Sequence, residues 1–158
     1  MVVSNTSPIA NLAVIGQLSL LKSLYGAIRI PEAVRAELAA ERSVWDAVAG
    51  ENWITTQPVQ NRPLVESLLR QLHPGEAEAI ALALEQEAEL LLLDEHTGRE
   101  AASSLGQKTV GLLGVLLHAK AVGLIPAVRP LLDALVTRAG FWMSRVLFER
   151  VLAEAREL

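Results

Sequence analysis

Leu90-Leu91-Leu92-Leu93 is an uninterrupted apolar run that stops at a carboxylate, Asp94. Four apolar residues without polar alternation suit a strand buried on both faces, and such strands belong to parallel sheets covered by helices. A shorter run, Met1-Val2-Val3-Ser4, ends in the same way at Asn5. Strand-like and helical stretches alternate along the rest of the chain, which predicts an α/β fold.

The predicted strands are Val2–Ser4, Ala27–Ile30, Trp53–Thr56, Leu90–Leu93 and a short one at Val110. Ser7 followed by Pro8 reads as an N-cap with proline in the first turn, opening a helix over about Ile9–Ile15. Further helices are expected over Leu18–Tyr25, from Pro31 to about Ala40, over Leu64–Leu72, and over Glu76–Glu87 after the Pro74-Gly75 break. Thr97-Gly98-Arg99-Glu100 has the capping-box pattern of another helix start. Leu112–Val122 and two C-terminal helical runs complete the reading. No internal repeat, low-complexity tract or linker interrupts it, so residues 1–158 are expected to form one domain.

Composition narrows the function classes. The absence of cysteine excludes disulfides and thiolate zinc sites and fits a reducing, cytoplasmic setting. No signal peptide is evident, and charges interrupt every apolar stretch before the roughly 18 residues a membrane span needs. A net charge of −4 leaves no electrostatic footprint for nucleic acid, unless a bound metal supplies positive charge locally. Apolar residues make up 51% of the chain and charged residues 20%, so much of it must lie inside or in an interface. The C-terminal third is apolar at Leu131, Leu132, Leu135, Phe141, Trp142, Val146, Leu147 and Phe148, which predicts a homodimer or a tightly bound partner.

Simple lengths bring distant acidic residues together. From Glu78 to the end of its helix is about nine residues, or roughly 14 Å. From Leu90 to Asp94 is about 13 Å of strand. The chain runs down one and back up the other, so Asp94 is expected to return beside Glu78 at the carboxyl edge of the sheet. Asn5 also ends a strand there, and that edge is where open parallel sheets bind ligands. Glu37 shares a helix face with Val34, Leu38 and Glu41, which leans it toward the core. Carboxylates gathered at one point resist burial unless a cation compensates them. Oxygen ligands suit a hard divalent ion and, through it, phosphate chemistry.

These residues also carry a resemblance. Val3-Ser4-Asn5-Thr6-Ser7-Pro8, Ile30-Pro31-Glu32-Ala33-Val34-Arg35-Ala36-Glu37-Leu38 and Gly75-Glu76-Ala77-Glu78-Ala79-Ile80 resemble the PIN-domain ribonucleases, including VapC-like toxins. Leu92-Leu93-Asp94-Glu95, Gly98-Arg99, Val110-Gly111-Leu112-Leu113-Gly114 and Gly140-Phe141-Trp142-Met143-Ser144 extend it over nearly the whole chain. Order and spacing, rather than any single motif, carry the likeness. It implies a three-layer α/β/α sandwich whose mostly parallel sheet is ordered 3-2-1-4-5, with the switch point where Asn5 and Asp94 end their strands. It further implies a Mg²⁺- or Mn²⁺-dependent endonuclease acting on RNA, often paired with an antitoxin. Carried over residue by residue, Asn5, Glu37, Glu78 and Asp94 become the metal ligands, and the three carboxylates among them the catalytic residues. The family residue at the position of Asn5 is typically Asp. An amide still offers a carbonyl oxygen to a hard cation but brings no charge.

Other residues have structural readings beside functional ones. Glu76 reads as a first-turn carboxylate that favours the helix dipole. Thr6 and Ser7 read as capping residues with a supporting role at the site. Arg99 reads as a phosphate partner or a capping-box residue, and Glu95 as a neighbour that could exchange roles with Asp94. His73, His96 and His118 share no metal-binding spacing, and Trp45, Trp53 and Trp142 are too scattered for a base-stacking platform. No P-loop, dinucleotide loop or nucleophile elbow is present. Two other functions compete: a PIN-like module that binds a partner or nucleic acid without cutting, and a phosphoaspartate receiver or phosphatase, for which Lys108 is the nearby lysine.

Overall fold

The computed structural model describes residues 1–158. The chain runs β1 (Val2–Ser4), α1 (Thr6–Val14), α2 (Ser19–Tyr25), β2 (Ile28–Ile30), α3 (Glu32–Ala40), α4 (Arg42–Val48) and β3 (Ile54–Thr56). It continues through α5 (Arg62–Leu68), α6 (Pro74–Glu85), β4 (Leu90–Leu92), α7 (His96–Ser104), β5 (Thr109–Val110), α8 (Leu112–Ala121), α9 (Arg129–Arg138) and α10 (Arg145–Glu154). The five strands are all parallel and ordered β3-β2-β1-β4-β5, as the resemblance implies. No helix is long and apolar enough to cross a membrane.

Side chains alternate across a strand, and here the alternation separates two cores. Leu92 and Val2 enter one, while Leu91, Leu93 and Val3 enter the other. The first core holds 25 buried residues against 13 in the second, because α8, α9 and α10 join α1 to α4 on that face. The second is covered by α5, α6 and α7. A run with no polar alternation is therefore what a middle strand between two helical layers requires.

The β1–β4 register pairs Val3 with Leu91 and Ser4 with Leu92, and the Asn5 N–H donates to the Leu92 carbonyl at 2.9 Å. The two central strands thus end level. Beyond β1 the sheet extends toward β2, and beyond β4 toward β5, so Asn5 and Asp94 leave it at the switch point.

Several local expectations need correction. The first helix starts at Thr6 with Asn5 at its N-cap position, so Ser7 lies inside the first turn and caps nothing. The seventh helix starts at His96, one residue before the supposed Thr97 cap, and Glu100 instead pairs with His96 across one turn at 3.0 Å. Helix α4 escaped the sequence reading altogether. Of the eight apolar residues that suggested a second copy, Leu132 and Leu135 are fully buried within the chain, and Leu131, Phe141, Leu147 and Phe148 pack against the first core. Only Trp142 and Val146 stay exposed, at 83% and 67%.

The C-terminus is tied down by one carboxylate. Glu157 accepts from Lys120 Nζ at 2.9 Å, from the Val128 N–H at 2.7 Å and from the Arg129 N–H at 3.0 Å. Lys120 also donates to the Ala155 carbonyl. Burial alone would raise the Glu157 pKa, but the two backbone donors at the start of α9 and the Lys120 ammonium outweigh it and hold it at about 2.

Candidate functional site

The site is a polar cleft of about 250 Å³ at the carboxyl edge of the sheet, lined without a single apolar residue. Asn5, Thr6 and Ser7 form one wall, at the end of β1 and the first turn of α1. Asn5 sits in extended backbone at the N-cap position, yet its side chain makes no capping bond. Its Oδ1 is buried and has no hydrogen-bond partner. Asn5 Oδ1 therefore neither caps the helix nor closes a turn.

Thr6 and Ser7 position carboxylates. Thr6 Oγ1 donates to Glu37 Oε2. Ser7 Oγ donates to Asp94 Oδ2 at 3.1 Å and accepts from Asn11 Nδ2 at 3.0 Å. Asp94 Oδ1 also accepts the Leu112 N–H at 2.6 Å, from the first turn of α8. Asp94 is thus gripped from both sides of the switch point.

The expected partner of Asp94 on α6 is wrong by two residues. Glu78 lies away from the cleft, where Oε1 accepts the Ala33 N–H at the start of α3 and Oε2 pairs with Arg62 at 3.0 Å. Glu76 lines the cleft instead. Helix and strand lengths leave the rotation of α6 open, and two residues turn a helix by about 200°. Glu76 is only 6% exposed. Its Oε1 accepts the His73 N–H at 3.2 Å, so the first-turn role read from the sequence is real. Its Oε2 is buried with no partner, and that open acceptor is what the sequence reading missed. The signal available was the paired spacing in Gly75-Glu76-Ala77-Glu78, which offers two carboxylates and no means of choosing between them.

Glu95 and His73, both solvent-exposed, complete the lining. Three carboxylates of the cleft, buried Glu76 and half-buried Glu37 and Asp94, are each backed by a glycine whose missing side chain makes room for it. A Cβ on Gly75 would meet Glu37 Oε1 at 2.7 Å, one on Gly98 would meet Glu76 Oε2 at 3.1 Å, and one on Gly111 would meet Asp94 Oδ1 at 3.1 Å. None of the three has positive φ, so space rather than backbone conformation calls for glycine. Gly111 also lies against Arg99, whose Nη1 the same Cβ would meet at 3.1 Å. Arg99 forms no ion pair within 4.0 Å.

Burial raises the pKa of Asp94, partly offset by the Leu112 N–H, the Ser7 hydroxyl and Arg99. Burial likewise raises that of Glu76, helped by the like charges of Glu95 and Glu37 and opposed by the His73 N–H and His73. These are the conditions a nearby cation relieves. The donor set is all oxygen apart from His73, and two of its buried acceptors, Asn5 Oδ1 and Glu76 Oε2, have no donor. Such a set fits a hard divalent ion. It is not a finished cage, because no three His, Asp or Glu side chains converge closely enough to hold an ion as they stand. Thr6 and Ser7 engage Glu37 and Asp94 in the meantime.

Comparison with known proteins bears on the family and the fold. A family model described as "DUF3368: PIN domain" matches residues 1–157. Among solved structures, the fold is similar to that of a PilT N-terminus domain protein from the hyperthermophilic archaeon Sulfolobus solfataricus P2. That match has a TM-score of 0.57 and 19% identity, covering 75% of this chain and 92% of the other. No curated protein matches the chain.

Proposed function

The chain belongs to the DUF3368 family of PIN domains, and from that premise we propose that its cleft is a metal-dependent phosphodiester hydrolase centre acting on RNA. The observation that carries the proposal is the pair of buried acceptors without donors, Asn5 Oδ1 and Glu76 Oε2, among the carboxylates of one cleft. An unsatisfied buried acceptor costs about 1–3 kcal/mol, so a fold that keeps two of them has a use for something that binds there.

Asn5, Glu37, Glu76 and Asp94 would hold one or two Mg²⁺ or Mn²⁺ ions, with Glu76 in the place first given to Glu78. The cation, when bound, supplies a water of lowered pKa and offsets negative charge on the phosphate. The chain's own part is positioning. Ser7 and the Leu112 N–H fix the Asp94 carboxylate, Thr6 fixes Glu37, and the His73 N–H fixes one oxygen of Glu76. Arg99, beside Gly111 and unpaired, is available to a phosphate oxygen. Pairing with an antitoxin protein, which would make the chain a toxin, belongs to the same proposal.

A module that binds without cutting is the second reading, and Asn5 favours it by leaving the cleft one charge short. Melting with and without Mn²⁺, together with cleavage of a mixed RNA pool, tests both. The hydrolase reading expects a Mn²⁺-dependent rise in melting temperature and cleavage that Asp94→Asn abolishes. Asn5→Asp should tighten Mn²⁺ binding by about tenfold, since one added charge near the ion is worth on the order of 1 kcal/mol, and should raise cleavage with it. The module reading expects the tighter ion but no cleavage from either protein.

A further inference from the structure

Asp94 is held by a chain of hydrogen bonds that reaches one residue beyond the cleft. Asn11 lies outside the lining, one turn along α1 from Ser7. Its Nδ2 donates to Ser7 Oγ at 3.0 Å, and Ser7 Oγ donates to Asp94 Oδ2 at 3.1 Å. A separation of four residues is one that brings side chains together on a helix, so α1 itself sets this pair. Asn11 is half-buried, which shelters the bond from exchange with water.

The direction of the chain matters. A serine hydroxyl has one proton and can turn it to any acceptor in reach, backbone carbonyls included. An amide N–H aimed at Oγ takes up a lone pair there, so the hydroxyl proton lies on another side, toward Asp94 Oδ2. Thr6, which makes the matching bond to Glu37, has a methyl group that narrows its own torsion, and Ser7 has none. The amide also brings no charge. It orients Asp94 without neutralising it, as a lysine or arginine in the place of Asn11 would. A carboxylate has about four lone-pair sites, two on each oxygen. Ser7 takes one on Oδ2 and the Leu112 N–H one on Oδ1, which leaves one on each oxygen for a cation.

We infer that Asn11 is a positioning residue for the cleft: through the Ser7 hydroxyl it fixes the direction in which Asp94 presents its remaining lone pairs. Their use by a cation rests on the reading of the cleft as a metal centre, whereas the relay from Asn11 to Asp94 does not.

Two measurements on the full chain test this. In EDTA, nitrogen–proton NMR follows the side-chain amide of Asn11. Its protons should exchange slowly, and Asp94→Ala should shift them although the two residues share no bond. In a Ser7→Ala background the same substitution should leave them still. A freely exchanging amide, or one indifferent to Asp94→Ala, would overturn the relay. In titration calorimetry with Mn²⁺, Asn11→Leu should weaken binding by about tenfold, the order seen when a residue behind a metal ligand is removed. Ser7→Ala should weaken it at least as much, and adding Asn11→Leu to Ser7→Ala should cost nothing further. Equal losses in both backgrounds, or a lower melting temperature with Mn²⁺ affinity unmoved, would overturn the positioning role. Should Asn11→Leu fail to fold, Asn11→Ala replaces it, and the amide spectra need no substitution at Asn11. Failure of the hydrolase reading is seen separately. Mn²⁺ bound with this coupling but RNA left uncut leaves the assignment standing, and if the wild type binds no Mn²⁺ the spectra in EDTA decide the relay alone.

Discussion

Glu157 and Glu76 place the same side chain in opposite circumstances. At the C-terminus both oxygens of Glu157 are filled by Lys120 and the Val128 and Arg129 N–H groups, and its pKa is held at about 2. In the cleft, Glu76 has one oxygen on the His73 N–H and the other on nothing, with its pKa raised by burial. A filled carboxylate fastens the fold, whereas an open one stores an unmet interaction that only a ligand can complete. Charge alone does not distinguish them, but their donors do.

Breaking the filled site should give the largest effect. Glu157→Ala leaves two backbone donors at the start of α9 without an acceptor and leaves the Lys120 ammonium only the Ala155 carbonyl, and should cost about 2–3 kcal/mol. Urea unfolding reads this directly, and an unchanged midpoint would show that the clamp contributes nothing. Glu76→Gln should act in the opposite direction in EDTA. It removes a poorly compensated charge, keeps an oxygen for the His73 N–H, and should raise the melting temperature by about 2–4 °C, which corresponds to about 1 kcal/mol in a chain of this size. The same variant should lose most of the Mn²⁺-dependent rise. A lower melting temperature in EDTA would mean that Glu76 is structural first.

The two sites should also separate along the pH axis. Glu157 has a folded pKa of about 2, below its ordinary value of 4.5, so its contribution is complete above 4.5 and is lost as pH falls toward 2. Glu76 and Asp94 have raised folded pKa values, above ordinary values of 4.5 and 3.8, so the folded state holds more protons and stability declines as pH rises beyond those values. The metal-free protein should therefore be most stable in mildly acidic buffer. Mn²⁺ should flatten the alkaline side and leave the acid side unchanged, and a melting series run with and without the ion checks both limbs. The smallest effect is expected at Glu78→Gln, because its ion pair reaches Arg62, which is half exposed, and exposed pairs contribute about 1 kcal/mol or less. Its Mn²⁺ response should equal that of the wild type. A lost response would return Glu78 to the site in place of Glu76.

These contrasts mark what could be read from the sequence. The sheet was legible because strands buried on both faces must be continuously apolar, as at Leu90–Leu93, and because the polar residues Asn5 and Asp94 follow β1 and β4 closely at the switch point. Helix α4 was not, since Arg42–Val48 follows α3 with no proline or glycine to announce a new element. The exchange of Glu78 for Glu76 turned on the rotational setting of α6, which its neighbours decide and its own spacing does not. Whether Leu132 or Leu135 meets its own chain or another is likewise absent from composition. Least legible of all were the unpartnered oxygens, because whether an acceptor is satisfied depends on every residue around it.

The glycines behind the cleft carry a consequence of their own. An alanine codon lies one base substitution from a glycine codon, and at Gly75 the added methyl would fall on the Glu37 carboxylate. One such substitution would push the Glu37 carboxylate aside and, if the cleft is the hydrolase centre proposed above, weaken it while leaving every acidic residue in place. Such a descendant would keep its ligands and lose the room they occupy, so a roll-call of acidic residues across relatives would count it as active. The inventory that discriminates is of the empty positions, Gly75, Gly98 and Gly111, as much as of the charged ones.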